Sequence, residues 1–270
     1  MEYTALFVWL TLCLILGATI RSVMAGALTH RPVQFVAAPG LFIRKFSMSL
    51  TALACGATLT RARVYDLSER DVDFEADGAG SVAKVLVPLA PLFGCATAMV
   101  ALNAMFGRPL HLDYSPPGLD SLDAGGVQEF VAGTWSILAQ VVRRGARADW
   151  GNPRLYVLFG LTFSLSIGAS TELSRAREAV LGAGLLAVGL ALFCSLSLRG
   201  FRGGDPLAWP AEVREFVVRY SAVAFVMMVY GMLTALVVGM IVRVYEMAGS
   251  GSGSGKTRGL PSGKSSKRAA

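Results

Sequence analysis

The chain has 270 residues and a formal net charge of +7, with 54% hydrophobic and only 16% charged residues. Its mean hydropathy is +0.55. A soluble domain carries about 25% charged residues, so the composition excludes an ordinary soluble enzyme and points to an integral membrane protein. Part of the positive charge belongs to the C-terminus, where Lys256, Arg258, Lys264, Lys267 and Arg268 lie among Gly and Ser. No aromatic residue interleaves with them, so they do not make a nucleic-acid surface.

A membrane span needs about 20 mostly apolar residues. Residues 3–20 meet this without a charge. Glu2 replaces the positive n-region of a signal peptide and no small-x-small cleavage site follows, so this stretch reads as a retained span. Arg21 then suits a membrane boundary. Residues 22–38 read as a link, and residues 42–55 as a helix too short and too charged at its start to span alone. Gly56 is placed to end that helix. Residues 58–74 alternate with period two: Leu59, Arg61, Arg63 and Tyr65 against Thr60, Ala62, Val64 and Asp66. This predicts a short β-hairpin around a break at 67–70, with a solvated loop as the equal alternative.

The second span is expected at 85–106, with Lys84, Pro88 and Pro91 inside or beside it. Residues 108–126 form a Pro/Gly/Asp loop. Its His111, Asp113, Asp120 and Asp123 are too scattered for a metal site. Residues 127–142 are short and carry Glu129, so a sixth span, a re-entrant helix and an interfacial helix all fit. Arg143, Arg144 and Arg147 with Trp150 read as an interface anchor. Residues 155–169, 179–198 and 220–242 complete the clear spans. The fold class is therefore a mainly α polytopic transmembrane bundle of five or six spans, with a short β-hairpin. Residues 1–248 form the membrane domain and 249–270 a disordered basic Gly/Ser-rich tail. Basic loops at 143–154 and 199–219 leave the orientation open. Cys13, Cys55, Cys95 and Cys194 lie in apolar stretches without metal spacing and read as small buried hydrophobes.

The stretch 39–66, PGLFIRKFSMSLTALACGATLTRARVYD, carries the most specific information. Pro39, Gly40, Phe42, Ser47, Leu50, Ala52, Leu53, Gly56, Ala57, Thr60 and Arg61 resemble the motif segment of one branch of the site-two proteases, which are intramembrane zinc metalloproteases. In that family H-E-x-x-H supplies two zinc ligands one helical turn apart and a general base between them. Here those positions hold Arg44, Lys45, Phe46, Ser47 and Met48. Arginine and lysine have no lone pair to offer a metal at neutral pH.

Residues 87–94, VPLAPLFG, resemble a second, more generic phrase of the branch. Ser166, Ile167 and Ser170 resemble a third, whose aspartate is taken as the last zinc ligand. That position falls on Ser174 or Arg175, neither a carboxylate. The nearest acid, Glu172, reads as a helix-start residue.

The resemblance implies a degenerate member without zinc, cofactor or catalysis. It would act as a scaffold, structural or regulatory subunit in a membrane complex, and the bacterial inner (cytoplasmic) membrane is the expected location. Its partners would be membrane lipids and other membrane subunits. These would be met through the 58–74 edge or the small-residue faces 160–168 and 182–189. The motif helix should be surrounded by other helices, with Arg44 near a membrane face. The alternative is a small transmembrane subunit of a respiratory, photosynthetic or transport assembly unrelated to proteases. A serine protease is disfavoured: Ser47, Ser49 and Lys45 lack an elbow motif, and His30 and His111 fall in loops.

Overall fold

The computed structural model describes residues 2–61, 73–75, 81–107, 124–148, 150–170, 176–199 and 211–250. Eight α-helices are found among them: α1 Glu2–Met24, α2 Arg31–Ala54, α3 Ser81–Leu86, α4 Ala90–Met105, α5 Ala124–Ala146, α6 Pro153–Ala169, α7 Ala176–Arg199 and α8 Ala211–Ser250. Two short strands, β1 Thr58–Arg61 and β2 Asp73–Glu75, pair antiparallel. Thr58 faces Glu75, Leu59 faces Phe74 and Arg61 faces Asp73, so Thr60 is an extra residue that breaks the register. The turn expected at 67–70 lies outside the described residues, as does the tail from 251 onward.

Three helices are, by length and composition, apolar enough to cross a membrane: Thr4–Met24, Val82–Met105 and Tyr220–Tyr245. Five or six were expected, and the shortfall has separate causes. Helix α6 is apolar but has 17 residues, about 25 Å at 1.5 Å per residue, against a hydrocarbon core of about 30 Å. Helix α5 has 23 residues but mixes Glu129, Arg143 and Arg144 with its apolar side. It buries Phe130, Ile137 and Val141 and exposes Gln128, Glu129 and Gln140. In α7, several side chains of the expected span 179–198 lie outside the described set.

The second candidate span is continuous through two prolines. A single 3-10 turn, Val87–Leu89, holds Pro88 and joins α3 to α4, and Pro91 sits in the first turn of α4. Proline lacks the N–H that a helix interior would use, and these positions tolerate its absence. Helix α4 ends at Gly107, which takes φ +83 and donates its N–H to Ala104 O at 3.2 Å.

Helices α1, α4, α6 and α8 share the main core. Trp9 of α1 meets Phe225 of α8 and Phe130 of α5 edge-on, with centroids 4.7 and 5.8 Å away. The run Ala222–Tyr230 of α8 is buried on every side. A helix apolar all round belongs in the interior, and among the described side chains of α8 the exposed apolar residues begin at Leu233. Cys13 and Cys95 are free and buried, as their apolar surroundings predict, while Cys55 is half-buried.

Helix α2 departs from expectation at its start. It begins at Arg31, not near Phe42, and takes in residues 31–38 of the expected link, whose first residues 22–24 belong to α1. Pro32 occupies its first turn, where a missing N–H costs nothing. Pro39 lies inside it. Its end follows the sequence reading: Gly56 takes φ +74. Its N–H donates to Leu53 O at 3.0 Å, and Ala57 N–H donates to Ala52 O at 2.9 Å. This is the Schellman pair of bonds, with Ala52 and Ala57 in buried contact as the motif requires.

Candidate functional site

Of the five residues 44–48, Arg44, Lys45 and Met48 sit on the inner face of α2, while Phe46 is exposed on the outer face. Ala37, Gly40, Leu41, Arg44, Lys45, Met48 and Ala52 are buried, the three- and four-residue spacing of one helical stripe. Arg44 and Lys45 are each only 4% exposed. A charged residue is rarely buried this far unless its polar atoms find partners.

The partner of Arg44 is the end of α6. Its Nη1 donates to Ser170 O and, at a long 3.5 Å, to Gly168 O. A helix leaves its last carbonyls without intrahelical donors and carries partial negative charge there. Ser170 satisfies two more from within: its N–H reaches Ser166 O at 3.1 Å and Ile167 O at 3.2 Å, and its Oγ donates to Ile167 O at 2.6 Å. The guanidinium therefore completes a C-terminal cap from another helix.

The approach needed for this is made one turn earlier. Pro39 breaks the N–H series of α2, and the next N–H, that of Gly40, donates to Ser164 Oγ at 2.8 Å. A Cβ on Gly40 would collide with the Ser164 carbonyl, and a Cβ on Gly168 would collide with the backbone of Gly40. Two glycines let the backbones of α2 and α6 touch, and that contact brings the α6 terminus within reach of Arg44. On the next flank of α2, Ser47 lies against Gly94 of α4, where a Cβ would also collide. Helix α6 is held on its far side by α8: Ser166 Oγ donates to Met227 O at 2.9 Å and to Thr162 O at 2.7 Å, and Gly231 leaves room for it.

Met48 belongs to a separate apolar cluster with Ala52, Ala57, Ala83 and Val87, where α2 meets β1 and the start of the second candidate span. Its thioether packs as a core side chain.

These residues do not fit a zinc ion. Arg44 is engaged with carbonyls as a donor, Lys45 is a donor only, and Met48 is packed in hydrocarbon. Among the described residues, no group of three or more His, Cys, Asp and Glu is placed to hold a metal ion.

Of the expected site residues, Arg44, Lys45 and Met48 line one buried stripe. Ser174 and Arg175, with Glu172, lie outside the described residues. The motif helix is not surrounded by helices, because its outer face is exposed. Nor are all the small-residue faces free for a partner. Gly168 is used against Gly40 and Gly182 against Val85 and Leu89, whereas Gly160 and Gly189 face open space.

Sequence reasoning missed Ser164 and the cap made by Ser170. The Pro39-Gly40 pair and the run Ser164–Ser170, rich in small hydroxyl residues, were the available signals. No protein-family model, curated protein or solved structure matches the chain.

Proposed function

We propose that the chain is a catalytically empty, site-two-protease-like membrane protein that acts as a scaffold, structural or regulatory subunit of a membrane complex. One observation carries the reading: Arg44, at the first motif position, is turned inward and tied to the end of α6. That end holds Ser166, Ile167 and Ser170, the residues that resemble the family's third-ligand phrase. A metal in such a place would join the two segments through coordinate bonds. Arginine joins them through hydrogen bonds, which preserves a packing arrangement and supplies no Lewis acid or base.

On this reading the chain works by binding, in a bacterial inner membrane, with lipids and other membrane subunits around it. Its bundle would comprise five or six membrane-embedded helices, with β1 and β2 as the arms of a hairpin whose edge offers backbone groups to a partner strand.

Two experiments test this. Arg44→His, Lys45→Glu and Met48→His together should leave the protein without zinc-dependent cleavage of a membrane substrate, because the third-ligand position still lacks a carboxylate. Cleavage by this variant would overturn the account of that position. Native mass spectrometry after mild extraction should find a defined partner. A monomer in every gentle extraction, with no loss of cellular role on deleting residues 58–74, would overturn the scaffold reading.

A further inference from the structure

Helix α2 is built inside-out. From Pro32 to Ala54 every exposed residue is apolar: Pro32, Phe35, Val36, Pro39, Phe42, Phe46, Leu50, Leu53 and Ala54. Its buried side carries Arg44 and Lys45. Phe35 is 79% exposed and Leu50 57%. The rings of Phe42 and Phe46 stack on the outer surface, 6.5 Å apart. A water-facing helix has the opposite arrangement, with charge outside and hydrocarbon inside.

We infer that α2 is itself embedded across the bilayer, with the ridge from Phe35 to Leu53 packed against lipid acyl chains. Three observations select lipid as the occupant. The ridge contains no polar or charged side chain with which a protein partner would fix its register. Its length, about 27 Å at 1.5 Å per residue, is close to the hydrocarbon thickness of about 30 Å. It is also continuous with a candidate span, because α2 packs on α4 through Ser47 and Gly94.

Hydropathy averaged around the helix misses this, since it counts the two inward cations against the outer face. The ridge also sets a depth. Arg44 and Lys45 lie near its middle, so they sit well inside the membrane rather than at its face, shielded from lipid by the rest of the bundle. This inference needs only a membrane setting and is independent of the scaffold reading.

The test is photocrosslinking of the full chain in vesicles of phosphatidylethanolamine and phosphatidylglycerol. A benzophenone amino acid replaces Phe42, Phe46 or Leu50 in turn, with Met240 on the exposed side of α8 as the reference position. The expected product at all three α2 sites is a chain heavier by one phospholipid, as at Met240. Chain-to-chain adducts, or no adduct on α2 while Met240 gives lipid adducts, would overturn the inference. An independent readout is Phe46→Cys with a membrane-impermeant maleimide. No labelling above the unsubstituted chain is expected, and a gain in labelling would place this face in water.

Discussion

At the scale of single residues, Arg44 decides how the motif region is held. Its guanidinium supplies donors to Gly168 and Ser170 carbonyls that α6 cannot satisfy alone. Hydrogen bonds to a charged group contribute about 1.5–3 kcal/mol net. Arg44→Met should therefore lower stability by about 2–3 kcal/mol, a loss partly offset because no cation then has to be kept from lipid. Arg44→Lys keeps the charge but loses the planar fork, and should fall between the two. Reversible unfolding in mixed detergent micelles measures this. An Arg44→Met protein as stable as the parent would mean that the cap contributes nothing.

At the scale of elements, close helix approach is set by glycines in contact rather than by glycine content. Helix α6 carries Gly160 and Gly168, but only Gly168 touches another backbone. Gly168→Ala must push α2 away from α6, which weakens the Gly40–Ser164 and Arg44 bonds together. Gly160→Ala meets nothing within 4 Å and should gain about 0.5–1 kcal/mol from better helix propensity. The two substitutions should therefore move unfolding midpoints in opposite directions. Similar midpoints for both would show that the α2–α6 crossing is looser than its geometry implies.

At the scale of the whole molecule, three helices are long and apolar enough to cross a membrane, and on the inference drawn above the apolar outer ridge of α2 faces lipid beside them. Exposed Leu181, Leu185, Val188 and Leu192 on α7, and Leu236, Val237, Met240 and Ile241 on α8, extend that surface. The protein should stay with membranes through alkaline carbonate extraction and require detergent for release. Release by carbonate alone would contradict a spanning architecture. Two cations within the bilayer carry a cost of at least about 2.5 kcal/mol each when they face lipid. Their placement on the inner stripe of α2 would avoid that cost if α2 lies in the membrane as inferred.

The sequence by itself determined the class and the punctuation. Long uncharged runs define Thr4–Met24, Val82–Met105 and Tyr220–Tyr245 as candidate spans within a few residues of the expected bounds. Gly56 announced the end of α2 because only a residue tolerant of φ +74 closes a helix in that way. The chemistry of Arg44 and Lys45 is equally local, since at neutral pH both are donors with no lone pair to offer a metal. Only the tertiary structure decided which way these residues face and what they meet. Arg44 finds a helix end 124 and 126 residues away in sequence, and no local pattern contains that pairing. The start of α2 at Arg31 and the inversion of its faces were hidden for the same reason. Hydropathy is a sum around the helix, whereas burial is a property of one side of it, and the neighbours that define the sides come from distant parts of the chain.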